Sequence, residues 1–355
     1  MSKRLPLLAS FAVALLVTAH LTAADATPAA TRTAFLQLID RPRVPLAPEL
    51  RPATDKDGLT QIAFSFAADV DQRVPAILVQ PTAPPAAAAA RVRRPAVISL
   101  HGTGGNKEGQ VTLLRQFAAA GFVAVAIDGR YHGSRATTPK GTADYTDAIL
   151  RAYRAAEPHE HPFYFDTVRD VMRLIDYLVT RDDVDPARIG LIGFSKGGTE
   201  AYLAAAADPR IAATVACIGV QSFRWALENN SWQSRIGTIQ AAVDAAAKEA
   251  GVTTPDAAFV RRFYDRVVPG ITDQFDGPAM LPLIAPRPLL AINGDSDPRT
   301  PVPGVMLCAE AARAAYRAAG AEENFTLTVQ PKTGHKVNPD SLQTARAWLA
   351  KQLKP

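Results

Sequence analysis

Short apolar runs that alternate with helical stretches constrain this chain more than any other feature. Ile62, Phe64 and Phe66 alternate with small or polar residues, and apolar runs follow at 74–79, 96–100, 122–127, 189–193, 211–220, 289–292 and 325–329. Runs this short, bounded by turn residues, read as strands. Helical patterns occupy 111–120, 165–179, 196–207, 305–319 and 341–353. Strands without a polar face, joined by helices, build a mostly parallel sheet covered on both sides, so the expected class is α/β. The absence of a repeat at 20 to 50 residues excludes solenoids and propellers. One segment breaks the rhythm: 221–286 carries helical pattern and aromatics but no strand, and reads as an insertion over one end of the sheet. It either decorates the fold or forms a lid that carries Phe223, Trp225 and Trp232 above a site.

The N-terminus reads as an address. Lys3 and Arg4 precede an apolar run at 5–17, and small residues follow at Ala19, Thr22, Ala23, Ala24 and Ala26. That is the pattern of a secretory signal peptide over 1–24, with cleavage after Ala24 or Ala26 fitting best and Ala19 an alternative. The run falls short of the roughly 20 residues of a membrane span, so stable insertion is not expected, and the location implied is secreted or periplasmic. Residues 25–58, rich in proline and charge, read as an extended lead-in to a single domain over 59–355; the low-complexity stretch 81–95 reads as a surface loop. With 48% hydrophobic and 21% charged residues the chain is not a disordered one, and 2 cysteines cannot form a disulfide scaffold. Without Lys3 and Arg4 the 39 basic residues become 37 against 34 acidic, a balance of +3 that argues for no nucleic-acid partner.

The chemistry concentrates in Gly193-Phe194-Ser195-Lys196-Gly197-Gly198, which follows a predicted strand and opens a predicted helix. In that context G-x-S-x-G raises a serine hydroxyl above the sheet on a sharp turn, with the helix N-terminus behind it for a developing oxyanion. Such a nucleophile needs a base and a group to orient that base. The histidines are His20, His101, His132, His159, His161 and His335, and only His335 follows Ser195. The acid belongs on the loop Asn293-Gly294-Asp295-Ser296-Asp297-Pro298. Asp297 is better placed past the turn, whereas Asp295 suits bonds to turn amides. For the oxyanion, backbone N–H groups of Thr103 and Gly104, after the strand 96–100, join that of Lys196.

Together HGTGG at 101–105, DGRYHGSR at 128–135, GFSKGG at 193–198, NGDSDPRTP at 293–301 and Gly334-His335 resemble the α/β-hydrolase superfamily, in its dienelactone-hydrolase, acetyl-xylan-esterase and prolyl-oligopeptidase-like branch. The resemblance implies an eight-stranded, mainly parallel sheet, a Ser195–Asp297–His335 triad and no cofactor. The substrate it implies is a small or polysaccharide-linked carboxylic ester. A serine rather than a cysteine at 195 departs from dienelactone hydrolases proper. The segment before the first core strand is too short for the propeller of prolyl-oligopeptidases. A peptidase with the same triad and a non-catalytic binding protein on a hydrolase fold are the rival readings. His101 and His132 read as loop-ordering residues. His159-Glu160-His161 lacks further metal ligands, so no metal is expected and the segment reads as a solvated turn. Cys217 and Cys308 read as buried apolar residues, with a bond between them left open. Oligomeric state is not legible.

Overall fold

The computed structural model describes residues 27–82, 93–138 and 142–354. The expected signal peptide lies outside the described residues, as does most of the 81–95 loop. The chain opens with α1 (Pro28–Ile39), the short strands β1 (Glu49–Leu50) and β2 (Thr54–Lys56), and the hairpin β3 (Leu59–Asp69) and β4 (Gln72–Pro81). The alternating core follows: β5 (Arg94–Leu100), α2 (Val111–Ala119), β6 (Val123–Ile127), α3 (Thr142–Arg154), α4 (Phe165–Leu178), β7 (Val184–Phe194), α5 (Lys196–Ala207) and β8 (Ile211–Cys217). Five short helices make up the insertion: α6 (Phe223–Glu228), α7 (Gln233–Ile236), α8 (Gln240–Glu249), α9 (Ala257–Val267) and α10 (Gly277–Met280). The chain ends with β9 (Leu289–Gly294), α11 (Val302–Ala318), β10 (Phe325–Gln330) and α12 (Pro339–Leu353).

The strands form one sheet in the order β1-β3-β4-β6-β5-β7-β8-β9-β10, with β2 paired to β3. From β6 to β10 every pairing is parallel, while β3 and β4 run antiparallel at one end. The sheet therefore holds ten strands among the described residues rather than eight. The two extra ones are ribbons of two and three exposed residues, paired in the sheet with β3 and lacking any hydrophobic pattern. One face carries α4, α5, α11 and the insertion in a large core, and the other packs under α2 and α12.

The lead-in requires a second correction: 28–39 is helical, not extended. The Thr27 side chain caps the helix at Ala30 N–H and Pro28 stands in its first turn, where a missing N–H costs nothing. Thr31, Phe35 and Ile39 recur every four residues and are buried. Phe35 meets Phe165 and Phe275 edge-on, each at 5.1 Å. Arg32 donates to the Ala206 and Leu283 carbonyls at 2.7 and 2.6 Å, which fastens α1 to α5 and to the chain before β9. Among the described residues no helix is long and apolar enough to cross a membrane.

Candidate active site

Ser195 stands between β7 and α5 with φ +55° and ψ −112°. A non-glycine residue with positive φ is strained, and the neighbours relieve what they can. A Cβ on Gly193 would run into the Gly197 carbonyl, so the turn closes only with glycine there. The Ser195 N–H donates to the Cys217 carbonyl at 2.9 Å, and the Ser195 carbonyl accepts from Gly198 and Thr199 as α5 begins.

The Ser195 hydroxyl lies 2.7 Å from His335 Nε2, and His335 Nδ1 lies 2.8 Å from Asp297 Oδ2. A carboxylate only accepts, so Nδ1 carries the proton and Nε2 is free to accept from the serine. Asp297 is anchored on every side: Oδ1 accepts from Arg299 N–H at 2.8 Å, and Oδ2 also accepts from the Thr300 hydroxyl at 2.7 Å. Burial alone would raise its pKa, but the bonds from His335 and Thr300 outweigh burial and hold it below the usual carboxylate range. The Asp297 side chain is fully buried while that of His335 is 25% exposed, so the imidazole is reachable and the carboxylate is not. Asp295 is exposed and accepts from the Lys332 and Thr333 N–H groups at 2.7 and 3.0 Å, which makes it a turn residue.

The loop after β5 lies against the serine. A side chain on Gly102 would approach the Phe194 carbonyl to 3.3 Å and Ser195 Cβ to 3.4 Å, so the backbone at Gly102 packs against the serine turn. Gly104, at φ +74°, forms the exposed apex of a turn closed by Gly105 N–H to Gly102 O at 3.0 Å. Buried His101 holds this loop: its Nε2 accepts from Gly129 N–H at 3.0 Å, so Nδ1–H donates to Gly102 O at 2.8 Å. Burial and the nearby Lys196 charge push its pKa down to about 4, and the same causes take buried His132 to about 2. Both rings are therefore neutral hydrogen-bonding groups at neutral pH.

The segment 128–135 is itself fixed from below. Asp128 accepts from Lys107 N–H and Nζ at 2.9 and 2.7 Å and from Ser134 N–H at 2.8 Å. Arg130 is clamped bidentately by Asp170 of α4 at 3.0 Å and by Asp69 at 2.7 Å. The Lys196 side chain turns away from the reacting face and pairs with Glu200 inside α5.

Several sequence expectations change. Phe223 is not a pocket aromatic. It is buried in the core, edge-on to Tyr164 and Tyr264 at 6.0 and 5.7 Å, because α6 turns its apolar face downward. Trp225 is half-buried against Gly304 of α11, and Trp232, also half-buried, stands just before α7 and packs on the core. His161 is buried, 3.2 Å from the Val267 carbonyl, and Glu160 accepts from the Tyr131 hydroxyl at 2.6 Å, so 160–161 ties elements together, while His159 is exposed as expected of a solvated turn. Cys217 and Cys308 are separate buried thiols.

One site residue gave no signal in the sequence. Arg235 of α7 is 1% exposed; its Nη1 lies 3.4 Å from Ser195 Oγ and its Nη2 donates to the Ile218 carbonyl at 2.9 Å. A cleft of about 720 Å³ opens between α7 and the Asp297 loop, lined among others by Gln233, Ser234, Asp297 and Arg299; neither Ser195, His335 nor Arg235 lines it.

This sheet, with a serine on the strand-to-helix turn and a histidine and carboxylate on the loops after β10 and β9, defines an α/β-hydrolase. The sequence profile of the acetyl xylan esterase family (AXE1) matches residues 38–228, and that of fungal glucuronyl esterases matches 168–320. The chain belongs to the acetyl xylan esterase family. Acetyl xylan esterase 1 from Thermoanaerobacterium sp. JW/SL YS485 has the same fold, with TM-score 0.65 and 18% identity over 91% of this chain and 94% of that one. A glucuronoyl esterase from Solibacter usitatus superposes with TM-score 0.57 and 16% identity over 91% and 92%. YtaP of Bacillus subtilis (strain 168) is 26% identical over 186 residues, 51% of this chain and 53% of that protein. The chain thus spans about half the length, or less, of the curated relatives it matches.

Proposed function

We propose that the protein hydrolyses carboxylic esters by two-step acyl transfer, with Ser195 as nucleophile, His335 as general base and acid, and Asp297 as the group that orients the imidazole. The observation that carries this reading is the hydrogen-bonded chain from Ser195 through His335 to Asp297, at 2.7 and 2.8 Å, at the strained head of α5. Ser195 Oγ attacks the ester carbonyl as its proton passes to Nε2, and the resulting imidazolium is stabilised by Asp297. Collapse of the tetrahedral intermediate breaks the C–O bond, and His335 returns the proton to the leaving alcohol. Water, deprotonated by the same nitrogen, then attacks the acyl-serine; the acyl–Oγ bond breaks, Nε2 returns the proton to Ser195 Oγ, and the acid is released. The developing oxyanion is assigned to the backbone N–H groups of Lys196 and Thr103, with Gly104 supplying the turn; one such donor is worth roughly 10²- to 10³-fold in kcat.

The leaving group is a small or polysaccharide-linked alcohol, in keeping with membership of the acetyl xylan esterase family. A signal peptide over 1–24 would export the enzyme to such a substrate. The insertion 221–286 acts as the wall that sets specificity, through α7 rather than through Phe223. Turnover of 4-nitrophenyl acetate and labelling by a fluorophosphonate should both vanish in Ser195→Ala. Undiminished labelling of that variant refutes the assignment, and a preference for aminoacyl-proline amides over acyl esters replaces it with a peptidase.

A further inference from the structure

Among the described residues, no carboxylate neutralises the buried cation of Arg235. A guanidinium is a permanent charge, and burying one without a partner is strongly unfavourable, so its neighbours matter. Asp297 is committed to His335, Thr300 and the Arg299 N–H, Glu200 to Lys196, and Asp276 to Ser222 and three backbone N–H groups. The phenols of Tyr164, Tyr202 and Tyr264 lie within its field, but burial drives their pKas above the ordinary value, so they stay neutral. Among the described residues its Nε has no hydrogen-bond partner.

The backbone is bent to hold this cation beside the serine. Ile218, just past β8, has φ +46°, a conformation that a β-branched residue adopts only under constraint. Its N–H donates to the Ile292 carbonyl at 2.5 Å and its own carbonyl accepts from Arg235 Nη2. Strain is thus stored where the guanidinium is gripped. One nitrogen of the fork points at Ser195 Oγ, 3.4 Å away.

We infer that Arg235 is the receptor for a carboxylate on the substrate, so that the preferred esters carry an anionic group next to the scissile bond. This rests on the esterase reading above and deepens it. A carboxylate bound to the fork at about 2.8 Å stands no more than about 6 Å from Ser195 Oγ, a few bonds from the reacting carbonyl. The carboxylate can belong to the acyl part, as in a half-ester of a dicarboxylic acid, or to the alcohol, as in an acetylated hydroxy acid or uronic acid.

The test compares matched pairs on the full chain. For the acyl side, 4-nitrophenyl hemisuccinate is set against its methyl ester; for the alcohol side, 3-acetoxybenzoate against methyl 3-acetoxybenzoate. Each kcat/KM is divided by the spontaneous hydrolysis rate. Wild type should prefer the anionic member of one pair on the order of 10- to 100-fold, the value of a charged hydrogen-bonded contact. Arg235→Met should abolish that preference, chiefly through KM. Arg235→Lys, which keeps the charge but loses the fork, should retain part of it and covers the case in which the Met variant does not fold. Absence of preference in both pairs, or equal losses on anionic and neutral esters in Arg235→Lys, overturns the inference while leaving the esterase intact. A wild type that hydrolyses no ester and resists fluorophosphonate overturns the esterase reading itself.

Discussion

The proposed roles of His335 and Asp297 make a sharp prediction for Asp297→Asn. In the native site Oδ1 accepts from the Arg299 N–H at 2.8 Å, so an asparagine places its carbonyl oxygen there and its NH2 at the Oδ2 position. That NH2 then faces His335 Nδ1 and the Thr300 hydroxyl, the two groups now within 2.8 and 2.7 Å of Oδ2. As a donor it forces the imidazole proton onto Nε2, which points at Ser195 Oγ. The base is in place but in the wrong tautomer, and the imidazolium loses its counter-charge. The expected loss is about 10⁴-fold in kcat, as for the equivalent change in serine proteases, or about 5.4 kcal/mol of barrier. Neither packing nor fold should change, because the swap is isosteric. Steady-state hydrolysis of 4-nitrophenyl acetate gives the rate, nitrogen-15 NMR of the imidazole gives the tautomer, and thermal unfolding confirms the fold. Asp295→Asn serves as the control, since Asp295 bonds only turn amides and its neighbour Ser296. The reasoning fails if Asp297→Asn keeps more than a tenth of wild-type activity, or if Asp295→Asn loses as much.

Two further changes probe the frame. Asp276, which ties α6 and α10 together, has its pKa pushed up to about 6 by burial, against bonds from Ser222 and backbone N–H groups that lower it. A raised folded pKa favours the protonated form, so its stabilising contribution is full below about pH 4 and lost as pH rises through about 6; relative to Asp276→Asn, wild type should lose up to about 3 kcal/mol between pH 4 and 7. An unfolding series whose difference is flat or of opposite sign would show that the four donors keep Asp276 ionised. Phe35→Ala removes a buried ring wedged between Phe165 and Phe275 and should cost about 3 to 5 kcal/mol, read as a lower urea midpoint at unchanged slope. A cost under about 1 kcal/mol would mean that α1 is not docked.

What the chain's own order made legible was local or topological. Alternation of apolar runs with helical pattern implied the parallel sheet, because a strand buried on both faces has no polar face to show. The strand–GFSKGG–helix context marked Ser195, and elimination left His335, since no other histidine follows the serine. Turn chemistry favours Asp297 over Asp295; in the structure Asp297 is a buried partner of His335 and Asp295 an exposed turn residue. The α1 helix was readable in principle, from Thr27, Pro28 and the four-residue spacing of Phe35 and Ile39, but proline and charge nearby masked it. Folding alone decided the rest. β1 and β2 exist only as partners of β3, so no pattern within them could announce a strand. Phe223 went into the core instead of the site, and Arg235, which carried no signal in the sequence, lies beside Ser195. Sequence position ranks side chains by polarity, whereas the path of α6 and α7 over the sheet ranks them by which face turns inward. An arginine buried without a carboxylate is visible only once every neighbour's partner is known, and that knowledge belongs to the tertiary structure.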